Sequence, residues 1–384
     1  MARIVLGSYM VRYPLGGMMS WVLQYVVGFQ RLGHDIYFVE KASYPNSCYD
    51  PSRDVMTDDC SYGVAALNAL LARFGLEDRW CFVDAAGTYH GMPRQSIEAV
   101  LRGADLFIDM GTHGSWLPEA QGAGLRVLID GEPGFTQMKM ANRAAAGEGD
   151  PEYDHHYTTG RNIGTGRSSA PTAGRTWRHI FHPVVPELFE PNGGGAGGAD
   201  APYTTVMNWQ SYEPLQYEGR AYGHKDVEFG KFRELPMEAP VPLEVAVSGK
   251  GVPQAELEQV GWRIRDAHEV TVSFASFAGY VRASRGEFSV CKNGYVATNC
   301  GWFSDRSAAY LAAGRPVVMQ ETGFSDHLPC GEGLFAVRTR HEAATALAEI
   351  AGDYERHSRR AAEIAHDFLD ARRVLRRFLD ELGV

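Results

Sequence analysis

Short apolar runs separated by glycine and proline recur along this chain. ARIVLG at 2–7 is an uninterrupted apolar run between turn signals, the pattern of a strand buried on both faces. A loop with Tyr13, Pro14 and the Gly16-Gly17 pair follows, and Met18 to Leu32 has helical spacing that stops at Gly33. IYFVE at 36–40 reads as a second strand, so the chain opens as a βαβ unit. The alternation continues with a helix at Ser61–Phe74, a strand at 81–85, a helix at Pro93–Leu101 and strands at 105–111 and 126–134. Beyond EPNGGGAGGAD at 190–200, strands are predicted at 204–209 and 243–249, a helix at Pro253–Val260 and a strand at EVTVSFA, 269–275. Next come a helix at Phe277–Ser284, a strand at 287–292, a helix from Ser304 through Ala313, a strand in RPVVMQ and helices from about 341 to 382. The stretch 212–240, rich in Tyr, Gly, Lys and acids, has no assignable period.

Strands alternating with helices imply parallel sheets covered on both faces. The expected architecture is α/β, with two doubly wound, Rossmann-like domains facing across a cleft. The boundaries read as 1–190, a glycine-rich linker or loop at 191–200, 201–365, and a helix at 366–384 that packs back on the first domain. Ligands of such sheets sit at the carboxyl ends of strands, here the loops after residues 7, 110 and 130.

Length and composition fit this picture: 384 residues with 45% apolar content suit two globular cores. The net charge of −10 is spread along the chain, which argues against a nucleic-acid partner, since that needs a basic stripe. Six dispersed cysteines with no C-x-x-C pair suggest a reducing compartment. No run reaches the roughly 18 apolar residues of a membrane span, and a cytoplasmic protein is expected. His155-His156 lacks a third ligand at a telling spacing, so no metal is expected there.

The sharpest chemical signal is GWFSDRSAAYLAAGRPVVMQETGF at 301–324. Ser304 is a natural N-cap; the amides of Arg306 and Ser307 then face out of the first turn, where the helix dipole favours an anion. Arg306 adds a guanidinium fork, Ser307 a hydroxyl and Lys292 a second cation, a mixture suited to a diphosphate. Glu321 at the end of RPVVMQ is a candidate for sugar hydroxyls, and Thr322, Gly323 and Phe324 offer backbone amides. On the other side of the cleft, His113 lies at a strand end, and Asp130 and Glu132 are the carboxylates best placed to take a proton. Tyr9, Tyr13, Trp21 and Phe135 are aromatic candidates for an acceptor. YPLGG replaces the G-x-G-x-x-G fingerprint, which makes a nicotinamide cofactor unexpected.

YPLGGMMSWVLQYVVGFQRLGHDIYFVE resembles the glycine loop and first helix of GT-B nucleotide-sugar glycosyltransferases, and residues 301–324 with LPCGEGLFAV resemble the donor segment of the bacterial family-4-like members. The resemblance implies a glycosyltransferase without a metal or other cofactor. It uses a nucleoside-diphosphate sugar as co-substrate, with the acceptor on the first domain and the donor on the second. It further implies a diphosphate at Lys292, Arg306 or Ser307 and the amides of Thr322–Phe324. It also implies Gly16 and Gly17 against the sugar-phosphate, and His113 beside the transferred sugar. Family-4 enzymes carry two glutamates eight residues apart; Gly301 and Ala309 stand in their place, leaving Asp305 and Glu321 as substitutes. A nucleotide-sugar 2-epimerase of the same fold and a non-catalytic nucleotide-sugar binder are the alternative readings.

Overall fold

Two parallel sheets organise the chain, each sandwiched between helices. The computed structural model describes residues 1–42, 44–190, 197–198, 200–210 and 213–384. The predicted linker at 191–200 therefore lies largely outside the described residues.

The first sheet begins with β1 (Arg3–Gly7), followed by α1 (Gly16–Arg31) and β2 (Asp35–Lys41). A small hairpin, β3 (Cys48–Asp50) and β4 (Val55–Thr57), precedes α2 (Ser61–Ala72). Then come β5 (Trp80–Val83), β6 (Tyr89–Gly91), α3 (Arg94–Arg102), β7 (Leu106–Asp109), β8 (Leu125–Asp130), α4 (Phe135–Ala145), β9 (His155–Thr158) and β10 (Trp177–His179). Among the described residues the sheet order is β10-β9-β8-β7-β1-β2-β5-β6, with only the terminal β5–β6 pair antiparallel. β1 lies between β2 and β7, so the order reverses there and a crevice opens over the loops after β1 and β7.

The second half contributes β11 (Tyr203–Asn208), the hairpin β12 (Leu215–Tyr217) and β13 (Arg220–Tyr222), α5 (Lys225–Phe229), β14 (Leu243–Ser248), α6 (Gln254–Gln259) and β15 (Arg263–Asp266). It continues with α7 (Ala267–Thr271), α8 (Phe274–Ala283), β16 (Gly286–Ser289), α9 (Asn293–Ala297), α10 (Asp305–Ala312), β17 (Val317–Gln320) and β18 (Leu334–Val337). α11 (Arg340–Gly352), α12 (Tyr354–Ile364) and α13 (Ala371–Leu382) end the chain. The sheet runs β15-β14-β11-β16-β17-β18, and its order reverses at β11.

Two expectations need correction. EVTVSFA is not a strand: Asp266 caps α7 and Ser273 caps α8 through side chains that accept His268 and Ser276 amides, and local capping overrides the β-branched composition. The strand predicted at 126–134 stops at Asp130, because Gly134 (φ 85°) turns the chain into α4. α13 packs on α1, where Leu375 and Ala371 fill the space a side chain at Gly28 would need, and Phe378 meets Phe29 and Tyr157. No helix among the described residues is long and apolar enough to cross a membrane.

Candidate functional site in the cleft

On the first sheet, the strand ends are closed by their own carboxylates. Glu40, at the end of β2, accepts the amides of Met10 and Val11 at 2.8 and 2.7 Å and that of Arg12 at 2.9 Å. The loop after β1 thus spends these three N–H groups internally; burial pushes Glu40 up to about 7 although the amides oppose it. Asp109, ending β7, takes the amides of Gly111, Thr112 and Gly114 and the hydroxyls of Thr112 and Tyr153. This cradle holds His113 on left-handed backbone (φ 53°), exposed at the cleft rim. The surrounding protein lowers the His113 pKa, with Lys139, Arg12 and Arg143 acting in the same direction and Asp109 opposing.

Asp130 differs from the expectation of a free base. It is buried, and its oxygens accept from Thr136 Oγ1, Gln137 Nε2, Thr158 Oγ1 and the Glu132 amide, so it anchors the start of α4. Glu132 does reach the cleft, where it pairs with Lys292 of the second half. Tyr9 lies beside Glu132 and packs edge-on against Trp21 at 5.9 Å and Tyr13 at 6.1 Å. Phe135, expected to stack on an acceptor, is fully buried at the seam between the halves: stacked on His224 at 6.2 Å and edge-on to Tyr295 at 5.7 Å.

The two glycines of the first loop separate. A Cβ on Gly16 would stand 2.3 Å from the Ser273 carbonyl, so Gly16 lets α1 dock on α8, whereas Gly17 has open space around it. Further along α1, Trp21 Nε1 and Tyr25 Oη are buried without a hydrogen bond, as is His182 Nδ1 on the neighbouring loop. Trp21 touches the His182 ring, and both Tyr25 and His182 feel the Asp305 carboxylate. Tyr25 and His182 had no local sequence signal.

The second sheet presents cations. Ser304 caps α10 as predicted, accepting the Arg306 amide at 3.2 Å. Arg306 turns inward: its Nε donates to the buried Glu287 at 2.6 Å, and its other nitrogens donate to the Val206 carbonyl at 2.8 Å and to Ser289 Oγ. Lys225, at the start of α5, stands beside it. Burial pushes this lysine down to about 7, and repulsion from Arg306 and Lys292 adds to the effect. Among the described residues Lys225 forms no ion pair. α5 is held in place by Glu228, which accepts from Lys231, Asn293 and Gln320. Lys225, Lys292 and Arg306 therefore converge over β11 and β16, at the point where the sheet order reverses. Lys225 sits in the unassigned 212–240 stretch.

The side chains of the ETGF segment are engaged within the protein. Glu321 accepts from the Gly323 amide and Ser325 Oγ, Thr322 Oγ1 donates to the Trp302 carbonyl, and Phe324 packs on Phe303 at 5.4 Å. Ser307 is buried, with its hydroxyl on Met319 Sδ at 3.6 Å. Asn162 of the first half enters this corner, donating to the Asn299 carbonyl at 3.1 Å and accepting from His327 at 2.8 Å. A Cβ at Gly301 (φ 78°) would lie 2.7 Å from the Asn162 amide nitrogen, and Ala309 is in the core, so neither position has room for a glutamate as packed.

No known protein-family model matches the chain, and no curated protein matches its sequence. Solved structures do share its fold. HepE of Anabaena, in complex with UDP and glucose, matches at TM-score 0.57 and 12% identity over 100% of both chains. An alpha-glucosyltransferase in complex with UDP and a 13-mer DNA matches at 0.60 and 10%, again over 100% of both. Sucrose-phosphate synthase from Thermosynechococcus elongatus matches at 0.52 and 14% identity, over 99% of this chain and 98% of that one. The fold is of the GT-B type, two Rossmann-like domains across a cleft.

Proposed function

We propose that this chain is a glycosyltransferase that moves a sugar from a nucleoside-diphosphate sugar to a small-molecule or glycan acceptor. The observation that carries the reading is the cation cluster at the switch point of the second sheet. Lys225, pushed down to about 7 and without an ion pair among the described residues, lies beside Lys292 and Arg306. A diphosphate bound there supplies the missing negative charge. As the bond from the anomeric carbon to the diphosphate oxygen breaks, charge grows on that oxygen and the cations stabilise it. They take the electrostatic role of a divalent ion, so transfer is proposed to proceed without metal.

Trp21, Tyr25 and His182 offer unpaired polar atoms to the sugar hydroxyls, beside Asp305. His113 is the proposed neighbour of the transferred sugar, and Glu132 the proposed cleft carboxylate for the acceptor proton. HepE has also been solved in complex with UDP-glucose, which makes this the first donor to test. A small-molecule or glycan acceptor is proposed over DNA because a net charge of −10 disfavours approach of a polyanion. All six cysteines are free, which supports a reducing, cytoplasmic setting.

The test is calorimetric titration with UDP-glucose and UDP. Binding by the native chain, weakened in Lys225→Ala and Lys292→Ala and unaffected by chelator, supports the reading; no binding to any nucleoside-diphosphate sugar of a broad panel overturns it.

A further inference from the structure

The far edge of the first sheet holds a second cluster that the cleft does not use. Cys60 stands at the start of α2, Asp84 follows β5 and His90 lies on β6; one ligand atom from each lies within 4.8 Å of the others. His90 Nε2 stands 3.6 Å from Cys60 Sγ and 2.9 Å from Asp84 Oδ2. A Cys-His-Asp relay would use opposite nitrogens of the ring, one for the thiol and one for the acid. Here both partners converge on the same nitrogen, as ligands do around a shared ion. Around one tetrahedral Zn²⁺, sulfur at about 2.3 Å and nitrogen at about 2.0–2.1 Å stand roughly 3.5 Å apart, close to the separation found.

The surroundings suit a cation. Asp84 Oδ1 is fixed by the amides of Ala86 and Thr88 at 2.9 and 2.8 Å, which leaves Oδ2 for the shared point. A thiolate and a carboxylate together balance a dication, and the thiolate selects a borderline-soft metal over Mg²⁺ or Ca²⁺. All three side chains line a surface cavity of about 630 Å³, together with Asp58, Asp59 and Ser61. The site is built from an edge hairpin and a helix start. That same helix start backs the loop after β1, where a Cβ on Gly63 would lie 2.1 Å from the Val11 carbonyl.

We propose that Cys60, Asp84 and His90 bind a zinc-class divalent cation, with the fourth position open to the cavity. Binding forms a sulfur–metal bond, and the Cys60 thiol proton passes to solvent; no electrons are exchanged. The ion ties the β5–β6 hairpin to α2 and through it braces the first cleft loop.

Cobalt titration of the chelator-treated full-length chain tests this. One equivalent of Co²⁺ should bind with a thiolate-to-cobalt charge-transfer band, and one equivalent of Zn²⁺ should displace it. Cys60→Ser should abolish the band, His90→Gln should weaken binding about tenfold or more, and Cys330→Ser, at the exposed thiol, should leave the band intact. Should Cys60→Ser not fold, protection of Cys60 in the native chain from alkylation by added Zn²⁺, read by peptide mapping, gives the same answer. UDP-glucose affinity should be equal with and without the metal, which separates this site from the donor site. Absence of the charge-transfer band in the native chain, or its persistence in folded Cys60→Ser, overturns the proposal.

Discussion

The two sheets treat charge at their strand ends in opposite ways. On the first, Glu40, Asp109 and Asp130 are each turned back onto the loop that follows or flanks them, and their acceptor capacity goes to amides and hydroxyls of the protein. On the second, Glu287 matches Arg306, but Lys225 beside it has no ion pair among the described residues. The first edge is thereby a rigid wall, while the second keeps charge that a ligand can match. An acid at a strand end is thus no evidence of catalysis until its hydrogen bonds are accounted for, whereas a cation held in place without a counter-ion points outward to a partner.

The strongest way to break this contrast is to remove a staple. Glu40→Ala leaves three amides without their acceptor, at about 1–3 kcal/mol each, and should lower the unfolding free energy by on the order of 3 kcal/mol or more in urea denaturation. A loss below about 1 kcal/mol would show that the loop is held by something else. Lys225→Ala should act inversely. UDP-glucose affinity should fall roughly 30-fold, as for a charge-assisted bond of about 2 kcal/mol, with the melting temperature unchanged or raised because a desolvated cation is gone.

Acidity sharpens the point. Unliganded Lys225 is charged below about 7 and neutral above it, and a bound diphosphate raises its pKa. Between these values binding takes up a proton, so UDP-glucose affinity should be flat below pH 7 and fall by up to about tenfold per unit above it. Calorimetry from pH 6 to 9 in two buffers measures both slope and proton uptake, and a flat profile in Lys225→Ala assigns it. The smallest effect comes from one of the paired glycines. Gly16→Ala forces a backbone shift at Ser273 and should cost about 1–3 kcal/mol, while Gly17→Ala, facing open space, should change thermal stability by less than about 0.5 kcal/mol.

Much of the architecture was legible because parallel strands buried on both faces read as apolar runs; ARIVLG, LEVAVSG and RPVVMQ all appear as strands. Edge strands were not: β15 reads RIRD, since an edge needs no second apolar face, and β6 is a three-residue hairpin arm. The Ser304 cap was legible from local chemistry. Arg306 was seen at the helix mouth, but its inward turn depends on Glu287, nineteen residues earlier and fully buried, which no local pattern reveals. Lys225 escaped because its helix has five residues and lies in a Tyr- and Gly-rich stretch. The Cys60, Asp84 and His90 set escaped because it is assembled across a helix start and a hairpin, without the short ligand spacing of a zinc motif.

The Asn162 corner has a mechanical consequence. There the two halves are stitched by backbone as well as side chain: Asn162 donates its amide to the Cys300 carbonyl at 2.9 Å, Arg161 donates its amide to the Gly301 carbonyl at 3.3 Å, and Gly160 bridges Trp302. A Cβ at Gly160 would lie 2.4 Å from the Pro133 side chain, next to Glu132, so the seam continues to the Glu132–Lys292 pair, and a load on either half is carried to the other along one strip of contacts.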